Sequence, residues 1–149
     1  LRRAVLPAEM RLLRRLTLSE TKFMVVGLTA AVMQGADAVT QDIDLWVSSA
    51  GKQGLARAAK EVGGIYAWRA DPPFLDGPDL DRIDLVNHMD GLGSFDEEYR
   101  GAVDCQIDDF VVKLLPLERI IVSKRAAGRG KDVAALPALE AALISKRYL

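Results

Sequence analysis

Four apolar residues, Phe23-Met24-Val25-Val26, run into Gly27, and fifteen residues later comes Asp42-Ile43-Asp44-Leu45; no other feature constrains this chain as strongly. The apolar run predicts a buried strand and Gly27 a tight turn. Thr29 is expected to cap a short helix, Thr29 to Gln34, which Gly35 ends. The second β-prone segment then follows at once. Side chains two apart on a strand point the same way, so Asp42 and Asp44 are expected on one face, with Ile43, Leu45 and Val47 on the other. Two carboxylates held together repel unless a cation lies between them. Backbone N–H groups at a helix start attract phosphate. The unit therefore predicts a phosphate and divalent-metal site.

A later strand extends the pattern. In Arg82-Ile83-Asp84-Leu85-Val86-Asn87-His88, Ile83 and Leu85 suit the core and Asp84 the opposite side, where it can join Asp42 and Asp44 if the strands are neighbours. His88 is the only histidine and has no companion ligands at zinc spacing, so it reads as structural or solvent-facing. No serine or cysteine nucleophile sits in an elbow motif.

The chain's 149 residues are half hydrophobic, which lets one domain bury roughly two thirds of its unfolded surface. Its expected parts are an N-terminal helix over 1–21, a sheet core over 22–115 and helices over 116–149. Cys105 is the sole cysteine. That excludes an internal disulfide framework and suits a buried thiol in a reducing compartment, the cytoplasm. No apolar run reaches the roughly 18 residues of a membrane helix, and the first residues show no secretory pattern. No membrane partner is expected.

Net charge is −1, unevenly spread. Residues 1–22 carry six basic and two acidic groups, and residues 113–149 eight and three. Residues 71–109 hold twelve acidic groups against Arg82 and Arg100. A polyanion such as RNA would be drawn to the ends and a metal ion to the middle. In the amphipathic helix of residues 7–20, Met10, Leu13 and Leu16 recur at intervals of three, and Arg11, Arg14 and Arg15 form either a solvated face or an RNA contact. A helix is expected over 51–64 and a strand over 65–69, then an irregular loop before the Asp84 strand. Trp46 and Trp68 read as core or cleft wall before base-stacking platforms. Asp96-Glu97-Glu98 reads as a solvated helix face. Segments 103–107 and 110–115 suit a hairpin about Asp108-Asp109. From Leu117 the pattern is helical, broken at Gly128-Arg129-Gly130, with Pro137 expected to begin the last helix.

Taken together, Gly27, Asp42-Ile43-Asp44, Asp84 and the tail Ser123-Lys124-Arg125-Ala126-Ala127-Gly128-Arg129-Gly130-Lys131-Asp132 resemble the nucleotidyltransferase superfamily. The likeness is to small bacterial proteins related to minimal nucleotidyltransferases and abortive-infection toxins, and it runs from Phe23 to the C-terminus. It implies an α/β (α+β) fold, a mixed β-sheet flanked by helices with a C-terminal helical segment. It also implies transfer of a nucleoside monophosphate from a nucleoside triphosphate to a hydroxyl on RNA, protein or a small molecule. Two magnesium ions about 4 Å apart would be held by Asp42, Asp44 and Asp84, with Asp84 helping to deprotonate the acceptor. Gly27, Leu28 and Thr29 would contact the nucleotide, with Lys124, Lys131 and Asp132 nearby. A small helical or antitoxin-like partner protein is implied too. Leu28 departs from the family pattern, which has glycine or serine there. Thr29 could supply the hydroxyl one place later. Leu28 also keeps open an alternative, a degenerate fold that binds nucleotide or a partner without turnover.

Overall fold

The computed structural model describes residues 6–147. Along the chain, α1 (Pro7–Leu18) leads to β1 (Phe23–Val26), α2 (Gly27–Met33) and β2 (Ile43–Val47). A 3-10 turn (Ser49–Gly51) precedes α3 (Lys52–Glu61), β3 (Ile65–Ala67), β4 (Phe74–Asp76) and β5 (Ile83–Val86). Last come α4 (Phe95–Arg100), the hairpin β6 (Val103–Ile107) and β7 (Phe110–Leu114), then α5 (Leu117–Ala127) and α6 (Gly130–Arg147).

All four β1 residues are buried, because this strand lies at the centre of the sheet. The order is β5-β2-β1-β7-β6, and β3 pairs separately with β4. β1 runs antiparallel to β2 and parallel to β7, while β2 and β5 are parallel. The sheet is therefore mixed. Its two faces differ as period-two alternation requires. Leu45 and Leu85 meet Leu55 of α3 in an apolar pocket, and α1 packs against α3. Asp44 and Asp84 face the other way, toward α5 and α6.

On α1, Leu12, Leu13 and Leu16 are fully buried. So is Glu9, whose carboxylate accepts from Arg82 Nε and Nη2 at 3.0 and 2.8 Å, tying α1 to the residue that leads into β5. Of the arginine stripe, Arg14 is paired with Asp109 and Arg15 with Glu61. Arg2 and Arg3 lie outside the described residues.

Several sequence expectations need correction. Pro137 lies inside α6 instead of starting a helix. Leu139, two residues on, is fully buried, and packing against α5 carries the helix through the proline despite its missing N–H. The expected loop before β5 contains β4, which pairs with β3. Trp68 falls outside β3 and is exposed, under the Arg69 guanidinium, whereas Trp46 is core. Glu98 is no solvated face residue: it is buried and bridged by Arg119 Nε and Nη2, both at 2.9 Å. Cys105, on the edge strand β6, is only half-buried. Among the described residues no helix is long and apolar enough to cross a membrane.

Candidate active site

Gly27 has φ +66°, a left-handed conformation that glycine adopts without a Cβ clash. A Cβ built there would collide with Asp44 Oδ2. The Asp44 carboxylate thus lies directly against the Gly27 backbone, and no side chain fits between them. The pairing explains how: Val26 is opposite Asp44 across the antiparallel β1–β2 ladder, so the strand end and the carboxylate coincide. On the other side of β2, Asp44 is in register with Asp84 of β5. Asp42, just before β2, completes the acidic set.

These groups line a cavity of about 460 Å3. Gly27, Leu28, Asp42, Asp44 and Asp84 form its sheet side, and Lys124, Lys131 and Asp132 its helix side. Of the expected residues only Thr29 is outside the lining. Its hydroxyl is buried and hydrogen-bonds to the Asp42 carbonyl and to Thr40, so it braces the segment that carries Asp42. Nor does Thr29 cap α2, which starts at Gly27 with no side-chain cap.

The acidic side is electrostatically unbalanced. The Asp44 carboxyl is pushed up to about 6, first by burial and then by Asp84, with Asp42 adding to the rise and Lys124 and Lys131 opposing it. The Asp84 carboxyl is raised as well, by burial and by Asp42. Mutual repulsion among hard oxygen donors is the situation a divalent cation relieves, and this donor set suits magnesium. Among the described residues no group of three His, Cys, Asp or Glu side chains already converges as a metal shell.

Asp132 behaves in the opposite way. It is fully buried, accepts from Arg129 Nε at 2.6 Å, Arg129 Nη2 and N at 3.2 Å, and Lys124 Nζ at 3.3 Å, and its carboxyl is held below the usual range, chiefly by Arg129. Its oxygens face these two cations, so it orients Lys124 toward the cavity. Arg129, which the sequence places in the glycine-arginine turn without a site role, also lines the cavity. Its spacing three residues before Asp132, at a helix start, is the signal that would have found it. His88 stands on the cavity rim, exposed and 3.7 Å from Asp90. Leu28 is half-buried, part of the cavity wall and packed on the core.

No family model matches the sequence, and no curated relative does. Among solved structures, the crystal structure of the lincosamide antibiotic adenylyltransferase LnuA with lincomycin bound aligns with a TM-score of 0.63. The alignment covers 91% of this chain and 97% of that one at 12% identity. So low an identity carries no residue roles across, but agreement over nearly the whole of both chains shows a common architecture. The mixed sheet flanked by helices, with α5 and α6 closing the aspartate face, is a nucleotidyltransferase-like fold.

Proposed function

We propose that this protein moves a nucleoside monophosphate from a nucleoside triphosphate to a hydroxyl acceptor, with magnesium. One observation carries the reading: the Asp44 carboxylate lies against the bare backbone of Gly27, beside Asp84 and across from Lys124. Stability alone gives no reason to face carboxylates at one another around a glycine that leaves them exposed to a ligand.

Asp42, Asp44 and Asp84 would hold the magnesium, which when bound neutralises triphosphate charge and polarises the reacting oxygens. Gly27, lacking a side chain, leaves the Asp44 carboxylate room against the main chain, where it would face the ion. Lys124 and Lys131 would meet the β and γ phosphates and offset the charge that builds on the leaving group. Asp84, on the edge strand, takes the proton from the acceptor hydroxyl. The acceptor oxygen bonds to the α-phosphorus while the bond from that phosphorus to its bridging oxygen breaks. The electron pair of that bond leaves with pyrophosphate.

Leu28 supports a second reading, nucleotide binding without turnover, because a half-buried leucine occupies wall that a small residue would leave open. Incubating the protein with each α-labelled triphosphate, magnesium and a cell extract separates the two. Transfer of label that Asp44→Asn abolishes supports the transferase. Magnesium-dependent nucleotide binding by calorimetry, with no label moved by either protein, decides for the binding module.

A further inference from the structure

Among the described residues β5 is an edge strand of the five-stranded sheet, paired with β2 alone. Gly27 lies against Asp44, and Lys124 and Lys131 line the helix side of the aspartate cavity, whereas Asp84 stands on the edge strand. Just past β5, His88 lines both this cavity and a second one of about 560 Å3, so the two adjoin there. Trp46 and Phe95, edge to face with ring centroids 5.7 Å apart, form one side of the second cavity. Asn87 and serine hydroxyls supply hydrogen bonds, and Lys52 and Asp96 contribute one formal charge of each sign.

From this geometry, and resting on the transferase reading above, we propose that the second cavity is the acceptor site and that the acceptor is a small, hydroxyl-rich molecule of little net charge. The amide of Asn87 and the hydroxyls of Ser48, Ser49 and Ser94, over the nearly buried edges of Trp46 and Phe95, suit a molecule rich in hydroxyl groups, such as a sugar. The volume is that of a site for a small organic ligand. A polyanion is disfavoured, because binding RNA takes several cations, and Lys52 alone among the lysines and arginines lines this cavity, which Asp96 lines too. Asp90 stands 3.7 Å from His88 and Asp84 lines the adjoining cavity, and both add repulsion. The basic stripe of α1 belongs to the opposite layer, and Arg14 and Arg15 are already paired. In the reaction, one acceptor hydroxyl bonds to the α-phosphorus, its proton passes to Asp84, and pyrophosphate departs with the electron pair of the broken bond.

The test uses the full chain with the four α-labelled nucleoside triphosphates, magnesium, and a cell extract divided into small-molecule filtrate, RNA and protein. Label is expected in the filtrate. Asn87→Leu and Lys52→Glu are expected to lower that labelling by about tenfold or more, with triphosphate affinity by calorimetry held within about twofold. Lys52 starts α3, where glutamate is favourable, so that variant should fold. Label in RNA or protein, or filtrate labelling that neither variant changes, overturns the acceptor site and leaves the transferase reading standing. A variant that loses triphosphate affinity as well assigns its residue to the nucleotide site and also counts against the proposal. No label in any fraction overturns both.

Discussion

Asp44 and Asp132 are carboxylates in the same cavity, one on a strand and the other on a helix, and they have been treated in opposite ways. Asp132 has its cations: Arg129 and Lys124 surround it, and its carboxyl is held low. Asp44 faces Asp84 and Asp42 with only distant lysines to help, and its carboxyl is raised to about 6. Glu9 and Glu98 likewise have their cations, Arg82 and Arg119. The contrast separates structure from chemistry. Satisfied acids hold elements together, whereas an acid left unsatisfied is maintained at a cost in stability and marks where a ligand completes the charge balance.

The contrast is broken most sharply at Asp44. Asp44→Asn is expected to reduce label transfer by about 1,000-fold while stabilising the fold. The sign follows from linkage: a carboxyl whose folded pKa lies above its unfolded one binds its proton more tightly when folded. Its contribution therefore favours folding as pH falls through about 6 toward 3.8 and opposes folding above 6. At pH 7.5 the asparagine removes that opposition, and a gain on the order of 1 to 2 kcal/mol in urea unfolding is expected. A variant that is inactive yet less stable than the parent would show that Asp44 is a structural acid like Asp132.

Gly27→Ala comes next, since its Cβ would collide with Asp44 Oδ2 and the residue has positive φ. About 100-fold loss of transfer is expected, with about 1 kcal/mol of destabilisation, measured by single-turnover labelling and thermal melting. Asp132→Asn tests the other side. It keeps the shape but removes the charge that holds Lys124 and Arg129, so stability should fall by about 2 kcal/mol and the KM for triphosphate rise roughly tenfold. Loss of kcat alone, with KM unchanged, would instead place Asp132 at the reacting atoms.

Two smaller effects sharpen the comparison. kcat/KM should fall about tenfold per pH unit below about 6, because the protonated Asp44 gives up its charge, and a profile flat to pH 5 would rule out that group as the one that titrates. Leu28→Ser should raise triphosphate affinity by about two- to fivefold in calorimetry, by opening the wall and adding a donor. Unchanged affinity would show that the nucleotide does not touch this position.

Much of the acidic half was legible in order of residues. Strand periodicity set Ile43 and Leu45 apart from Asp44, and Ile83 from Asp84, and an apolar run before Gly27 located the turn. The helix half was legible only as a pattern of types. Lys124, Lys131 and Asp132 were marked, but that Asp132 is spent on Arg129 and Lys124 depends on how α5 and α6 meet after Gly128, where φ is +64°. Thr29 illustrates the same limit: its position suggested a cap, and its burial against the Asp42 carbonyl gave it another task.

Sequence alone determined the strand, glycine turn, helix and aspartate strand, because these rest on local conformational preference and on a period of two. Tertiary structure decided that Asp44 and Asp84 stand in register, that Arg82 reaches Glu9, and that a second cavity adjoins the first at His88. Those depend on residues far apart in the chain, whose side chains find their partners only when packing sets the distance and direction between elements.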